Sequence, residues 1–124
     1  MKNSFALCLT FAFLCAGCTS DSPAGGDSAS VEEGFVTAQD GVRLFYRKVG
    51  TGASTVIVPG DLFLFDDFKQ LADGRTLIFY DMRNRGRSDS VAEGDRLTIH
   101  HDVTDLEAVR AHFSVEKTSL VGYS

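Results

Sequence analysis

The chain has 124 residues, 44% hydrophobic and 23% charged, with 12 basic against 17 acidic side chains. That composition excludes the disordered and fibrous classes, and the length admits one domain at most. The net charge of −5 offers nucleic acid no electrostatic footing, and with Cys8, Cys15 and Cys18 all in the first 18 residues the body can hold no disulfide.

Lys2 supplies a short positive start, Phe5–Leu14 is an uncharged and almost wholly apolar run, and the small residues Ala16 and Gly17 follow. This order predicts a secretory signal peptide over residues 1–17; the apolar run is shorter than the roughly 20 residues a membrane span needs. Ala16-Gly17-Cys18 resembles a bacterial lipobox, although Cys15 stands where an aliphatic residue is usual. The resemblance implies that Cys18 becomes an acylated N-terminal residue, a membrane partner through its lipid anchor. Thr19 is not the aspartate that signals inner-membrane retention, so the implied location is the bacterial cell envelope, at the outer membrane or periplasm. An ordinary cleaved signal with a secreted product is the alternative. Residues 18–33, rich in Ser, Gly, Asp and Ala, read as a flexible tether.

The body, residues 34–124, opens with a strand over Gly34–Ala38, an Asp40-Gly41 turn, and an alternating strand over Val42–Val49. In that second strand Val42, Leu44 and Tyr46 share one side, and Arg43 and Arg47 the other. Together the two strands predict an antiparallel hairpin. Thr55–Val58 is a short apolar run suited to a strand buried on both faces, ended by Pro59-Gly60. Asp66–Ala72 reads as a short helix, and Thr76–Tyr80 as a second buried strand. Thr98 caps a helix whose stripe is Ile99, Val103, Leu106, Val109 and Phe113, with Asp102, Asp105, Glu107 and Arg110 outside it. Thr118–Val121 is a third buried strand, running into Gly122-Tyr123-Ser124. Hairpin, then strand–helix–strand–helix–strand, is an α/β pattern: a mostly parallel sheet with crossover helices.

Gly-Tyr-Ser after an apolar strand is the first half of G-x-S-x-G, a sharp strand-to-helix turn that lifts a serine above a sheet. Tyr80-Asp81-Met82-Arg83-Asn84-Arg85-Gly86-Arg87-Ser88-Asp89 resembles the Tyr-Asp-x-Arg-Gly-x-Gly-x-Ser motif after the fourth strand of α/β-hydrolase-fold proteins, in the branch that includes proline iminopeptidase-like serine hydrolases. Here Asn84 replaces the more usual glycine. The strand and turn Val56–Asp61 resembles that family's apolar strand ending in His-Gly-x, with Pro59 in place of histidine. The helix from Thr98 to Phe113 resembles the one preceding the nucleophile strand.

The resemblance implies the N-terminal part of an α/β-hydrolase fold, truncated from a parent of about 250–300 residues. It implies Ser124 as nucleophile, and Asp61 as donor of one oxyanion N–H with the residue after Ser124 giving the other. The carboxylate of Asp61 would oppose an anion beside it, so it must turn outward or Leu62 must supply the N–H instead. Asp81 and Arg83 are read as architectural, and Arg85 and Arg87 as surface or loop-tethering charges. A triad acid and base follow the serine in this family, so neither lies in the chain. His100, His101 and His112 precede the serine and do not complete a triad. His100 and His101 are adjacent, hence on different helix faces, and do not build a metal site. The implied function is hydrolysis of a small-molecule ester, amide or peptide through an acyl-serine, aminopeptidase activity included, without cofactor or metal; the 124-residue piece alone is expected to be inactive. Serine disfavours the epoxide-hydrolase and haloalkane-dehalogenase branches, which use aspartate there. A cofactor-free oxidoreductase shares the fold. The alternative class is a non-catalytic lipoprotein that keeps the fold for binding.

Overall fold

The computed structural model describes residues 30–92 and 96–122. The expected signal peptide, Cys18, the expected tether up to residue 29, Tyr123 and Ser124 lie outside the described residues. Five strands form one sheet: β1 (Val31–Thr37), β2 (Arg43–Val49), β3 (Ser54–Pro59), β4 (Arg75–Tyr80) and β5 (Ser119–Leu120), in the spatial order β1-β2-β4-β3-β5. The hairpin pairs antiparallel, β2 meets β4 antiparallel, and β3 lies parallel to both β4 and β5. Helix α1 (Asp61–Phe68), extended by a 3₁₀ turn over Lys69–Ala72, links β3 to β4, and α2 (Ile99–His112) links β4 to β5.

Period-two alternation divides the core into two halves, one on each face of the sheet. Leu44, Tyr46, Ile57, Ile78 and Tyr80 pack with Val109 of α2. Val49, Val58, Leu77 and Phe79 pack with Phe65 of α1 and with Ala72. β4 contributes alternately to both halves, as a central strand covered by a helix on each side must.

Four expectations are corrected. β1 begins at Val31, so residues 31–33 are strand and not tether. Its register sets Glu32 opposite Lys48, and Glu32 accepts from Lys48 Nζ (2.6 Å) and Tyr46 Oη (3.0 Å), contacts that composition does not reveal. The first helix starts at Asp61, five residues earlier than its acidic turn suggested, because Gly60 turns the chain directly from β3 into α1. β5 is two residues long and exposed, since among the described residues it pairs on one side only.

The fourth correction concerns α2. Ile99 and Val103 of its apolar stripe are 76% and 52% exposed, whereas Asp105, placed outside the stripe, is 1% exposed. The helix turns Asp105 inward because Arg83, itself buried, waits there. Arg83 Nε donates to Asp105 Oδ2 (2.8 Å), Nη2 to Asp105 Oδ1, and Nη1 to Asp40 Oδ2 (2.7 Å) in the β1–β2 turn. One guanidinium thus clamps the hairpin turn and α2 onto the loop after β4, which bears out its architectural reading. Arg83 holds the Asp40 carboxyl below the usual carboxylate range. Arg83→Met should destabilise the protein by about 3–5 kcal/mol in thermal or urea unfolding, because it strands the buried Asp105 carboxylate, and Asp105→Leu added to it should recover most of that loss.

Candidate active site at the strand ends

The C-terminal ends of the parallel strands are where a doubly wound sheet presents its loops. At the end of β3, Gly60 lies in the left-handed region (φ 105°), and its N–H donates to Tyr80 O (2.7 Å). This conformation favours glycine and lets the strand break straight into α1. Asp61 is the first helical residue, and its backbone N–H finds no acceptor among the described residues, as an N-terminal helical donor does unless a cap or ligand meets it. The neighbouring N–H of Leu62 is committed: it donates to Asp81 Oδ1 (2.8 Å). Of the two groups nominated from sequence for oxyanion binding, only that of Asp61 is thus unengaged.

The Asp61 side chain neither turns to solvent nor stays unpaired. It is buried, and Arg47 reaches it across β4 with Nε to Oδ1 (2.7 Å) and Nη2 to Oδ2 (2.7 Å). This is the bidentate geometry that makes an arginine–carboxylate pair strong. Arg47 is also stacked 3.4 Å from the Phe65 ring centroid, so the guanidinium is fixed from two sides. Arg87 Nη2 stands 4.0 Å from Asp61 Oδ2. Burial pushes the Asp61 carboxyl up and neighbouring Asp81 adds to this, while Arg47 and Arg87 pull it back.

The loop after β4 holds this arrangement in place. Asp81 Oδ2 accepts the Arg87 N–H (2.9 Å) while Oδ1 holds Leu62, so one buried carboxylate joins the loop to the start of α1. Ser88 Oγ donates to Asp81 O (2.6 Å) and accepts the Phe45 N–H (2.8 Å), fastening the loop to β2. Asn84 takes φ 62°, which explains how it stands in for glycine: asparagine tolerates the left-handed region, and its Oδ1 accepts the Val91 N–H (2.7 Å). Arg87 stacks 3.4 Å from the Phe45 ring centroid and reaches Glu33 (3.4 Å), the tethering role expected of it.

His101 Nδ1 accepts the Thr98 N–H (3.2 Å) and serves as a helix cap, while the His112 ring packs edge-on against Phe113. Among the described residues no group of three or more His, Cys, Asp or Glu side chains is placed to hold a metal ion. The role of Arg47 was not legible beforehand. It stood simply on the polar side of an alternating strand, and nothing in the sequence links it to a residue two strands away.

Gly86 has φ +52°, and a Cβ there would lie 2.0 Å from Asp81 Oδ2. Gly86→Ala should cost about 2 kcal/mol or more, from left-handed strain and displacement of the Asp81 carboxylate. Hydrogen exchange should show the Leu62 amide losing protection, and an unchanged Leu62 rate would refute the link.

No family model matches the sequence. A non-heme haloperoxidase from Rhodococcus erythropolis is 33% identical over 95 residues, covering 73% of this chain and 34% of that protein. A candidate aryl esterase from Burkholderia cenocepacia superposes with a TM-score of 0.66 at 29% identity, covering 75% of this chain and 37% of its own. An α/β hydrolase from Novosphingobium aromaticivorans gives 0.63 at 27% identity, covering 77% and 36%. The chain thus spans about a third of the length of these relatives. The hairpin-led mixed sheet, the Tyr80–Asp89 loop and these matches agree: the chain belongs to the α/β-hydrolase fold family, of which it carries the N-terminal part.

Proposed function

We propose that the protein is the front portion of a serine hydrolase, held at the cell envelope by a lipid on Cys18, that cleaves a small-molecule ester or amide. The observation that carries this reading is the unengaged Asp61 N–H at the N-terminus of α1, beside a Leu62 N–H locked to Asp81. A donor left open at a strand end, with its neighbours fixed, is preorganised for charge that develops during reaction. The Gly122-Tyr123-Ser124 sequence following β5 supports Ser124 as the nucleophile.

In this mechanism Ser124 Oγ adds to the acyl carbon as a base takes its proton. The carbonyl oxygen becomes an oxyanion facing the Asp61 N–H. Collapse expels the alcohol or amine, which regains the proton, and water then hydrolyses the acyl-serine. The base and its acid partner belong to chain beyond residue 124. An aminopeptidase or a small-ester hydrolase fits equally at this level. The pairing of Asp61 with Arg47 supports the catalytic reading over a purely binding protein, because the carboxylate beside the donor meets a cation.

The Rhodococcus relative's name favours a second reading, halide oxidation. Peroxide- and bromide-dependent halogenation, measured beside p-nitrophenyl acetate hydrolysis, decides between the two.

The protein expressed from the intact gene should be labelled by a fluorophosphonate probe, and Ser124→Ala should abolish labelling and lower kcat about 10⁴-fold or more with the fold intact. Labelling that survives in S124A overturns the assignment. For the anchor, radiolabelled palmitate should label the wild type and not Cys18→Ser; equal labelling of both overturns it.

A further inference from the structure

The function proposed above leaves an acidic residue at the position of the oxyanion donor. A buried carboxylate joined by three bonds to the donating nitrogen would repel the charge that nitrogen is there to bind. In this molecule the carboxylate is almost wholly enclosed, 1% exposed, so water does not screen it.

We infer that Arg47 is a positioning residue for that reaction: it neutralises Asp61 and fixes its side chain, so that the adjoining N–H can serve an oxyanion. The geometry is that of a built element. Both oxygens of Asp61 receive Arg47 nitrogens, at 2.7, 3.0 and 2.7 Å. The guanidinium plane is held by the Phe65 ring, a side chain of the same helix that Asp61 begins. Arg47, β4 and α1 are therefore joined on one face of the sheet, and the pair cannot rotate without disturbing Phe65. The other charged groups facing Asp61 are Arg87, at 4.0 Å, and Asp81; Arg87 in turn reaches Glu33. Arg47 and Arg87 are the cations that face the buried Asp61 and Asp81 carboxylates, so removing either arginine leaves more uncompensated negative charge beside the donor.

This inference rests on the serine-hydrolase reading and adds a residue to it. Arg47 touches no reacting atom, and its effect passes through Asp61. The dependence should therefore fall on kcat and not on KM, and should vanish when Asp61 carries no charge. Asp61→Asn keeps the shape and an acceptor for Arg47, so it serves as the reference background.

The test uses p-nitrophenyl acetate with the protein from the intact gene, each variant's fold being checked by near-ultraviolet circular dichroism. Arg47→Gln should lower kcat about 100-fold, the scale of losing one oxyanion donor, with KM within about threefold of the wild type. The double variant R47Q/D61N should return to within about tenfold of D61N. A folded R47Q with wild-type kcat, or a double variant no better than R47Q, overturns the inference. Should R47Q not fold, Arg87→Gln gives the second measurement, since that side chain is half exposed. It should lower kcat about threefold or more in the Asp61 protein and by a clearly smaller factor in the D61N background; equal effects in the two backgrounds overturn the inference. If the wild type itself shows neither turnover nor fluorophosphonate labelling, the serine-hydrolase reading fails, an outcome distinct from failure of the arginine's role.

Discussion

Everything at the strand ends depends on where the Asp81 carboxylate sits. It leaves β4, the middle strand of the sheet, and each oxygen accepts one backbone N–H: Leu62 at the start of α1, and Arg87 in its own loop. The Asp81 N–H meanwhile donates to Phe45 O in β2 (2.9 Å). A single residue therefore ties the antiparallel hairpin, the first crossover helix and the loop to one point. Buried carboxylates are costly unless their lone pairs are satisfied, and here backbone donors do that work, which leaves the Arg47 and Arg87 side chains to serve Asp61. The open Asp61 N–H follows from this division: its neighbour is bound, its side chain is paired, and its amide is left over.

A second clamp works on the opposite face of the sheet. Arg83 joins Asp105 on α2 to Asp40 in the hairpin turn, while Arg47 joins β2 to α1. Each helix is thus held by apolar packing and by one arginine. The planar, multi-donor guanidinium suits both places, since each must satisfy at least one buried carboxylate and keep its direction.

The fold was largely legible in the sequence because its signals are local. Apolar runs located β3 and β4, the Asp40-Gly41 turn located the hairpin, and the order of elements gave the class. The failures were non-local. The three residues at the start of β1 look like linker, and only pairing with Arg47, Lys48 and Val49 makes them a strand. The α2 stripe misassigned Asp105 because a residue-type pattern cannot register a buried arginine arriving from 22 positions away. At the site, the motif marked Asp81, Gly86 and Ser88, which the structure joins in one hydrogen-bonded loop, while Asp61 was nominated by position alone. The fate of the Asp61 carboxylate depended on Arg47, 14 residues earlier and across a strand, which no spacing rule would link to it.

The ion pairs differ sharply in their access to water. Lys48–Glu32 and Arg43–Asp89 lie at the hairpin's outer surface, with one partner of each more than half exposed, whereas the Asp61 carboxylate is enclosed. Mobile ions weaken the first kind and scarcely reach the second. Ionic strength therefore acts unevenly on this molecule: salt loosens the attachment of the hairpin's outer side before it touches the charge balance beside the helix terminus. A protein exposed to a fluctuating ionic medium would keep the electrostatics of its strand-end site while its periphery relaxes.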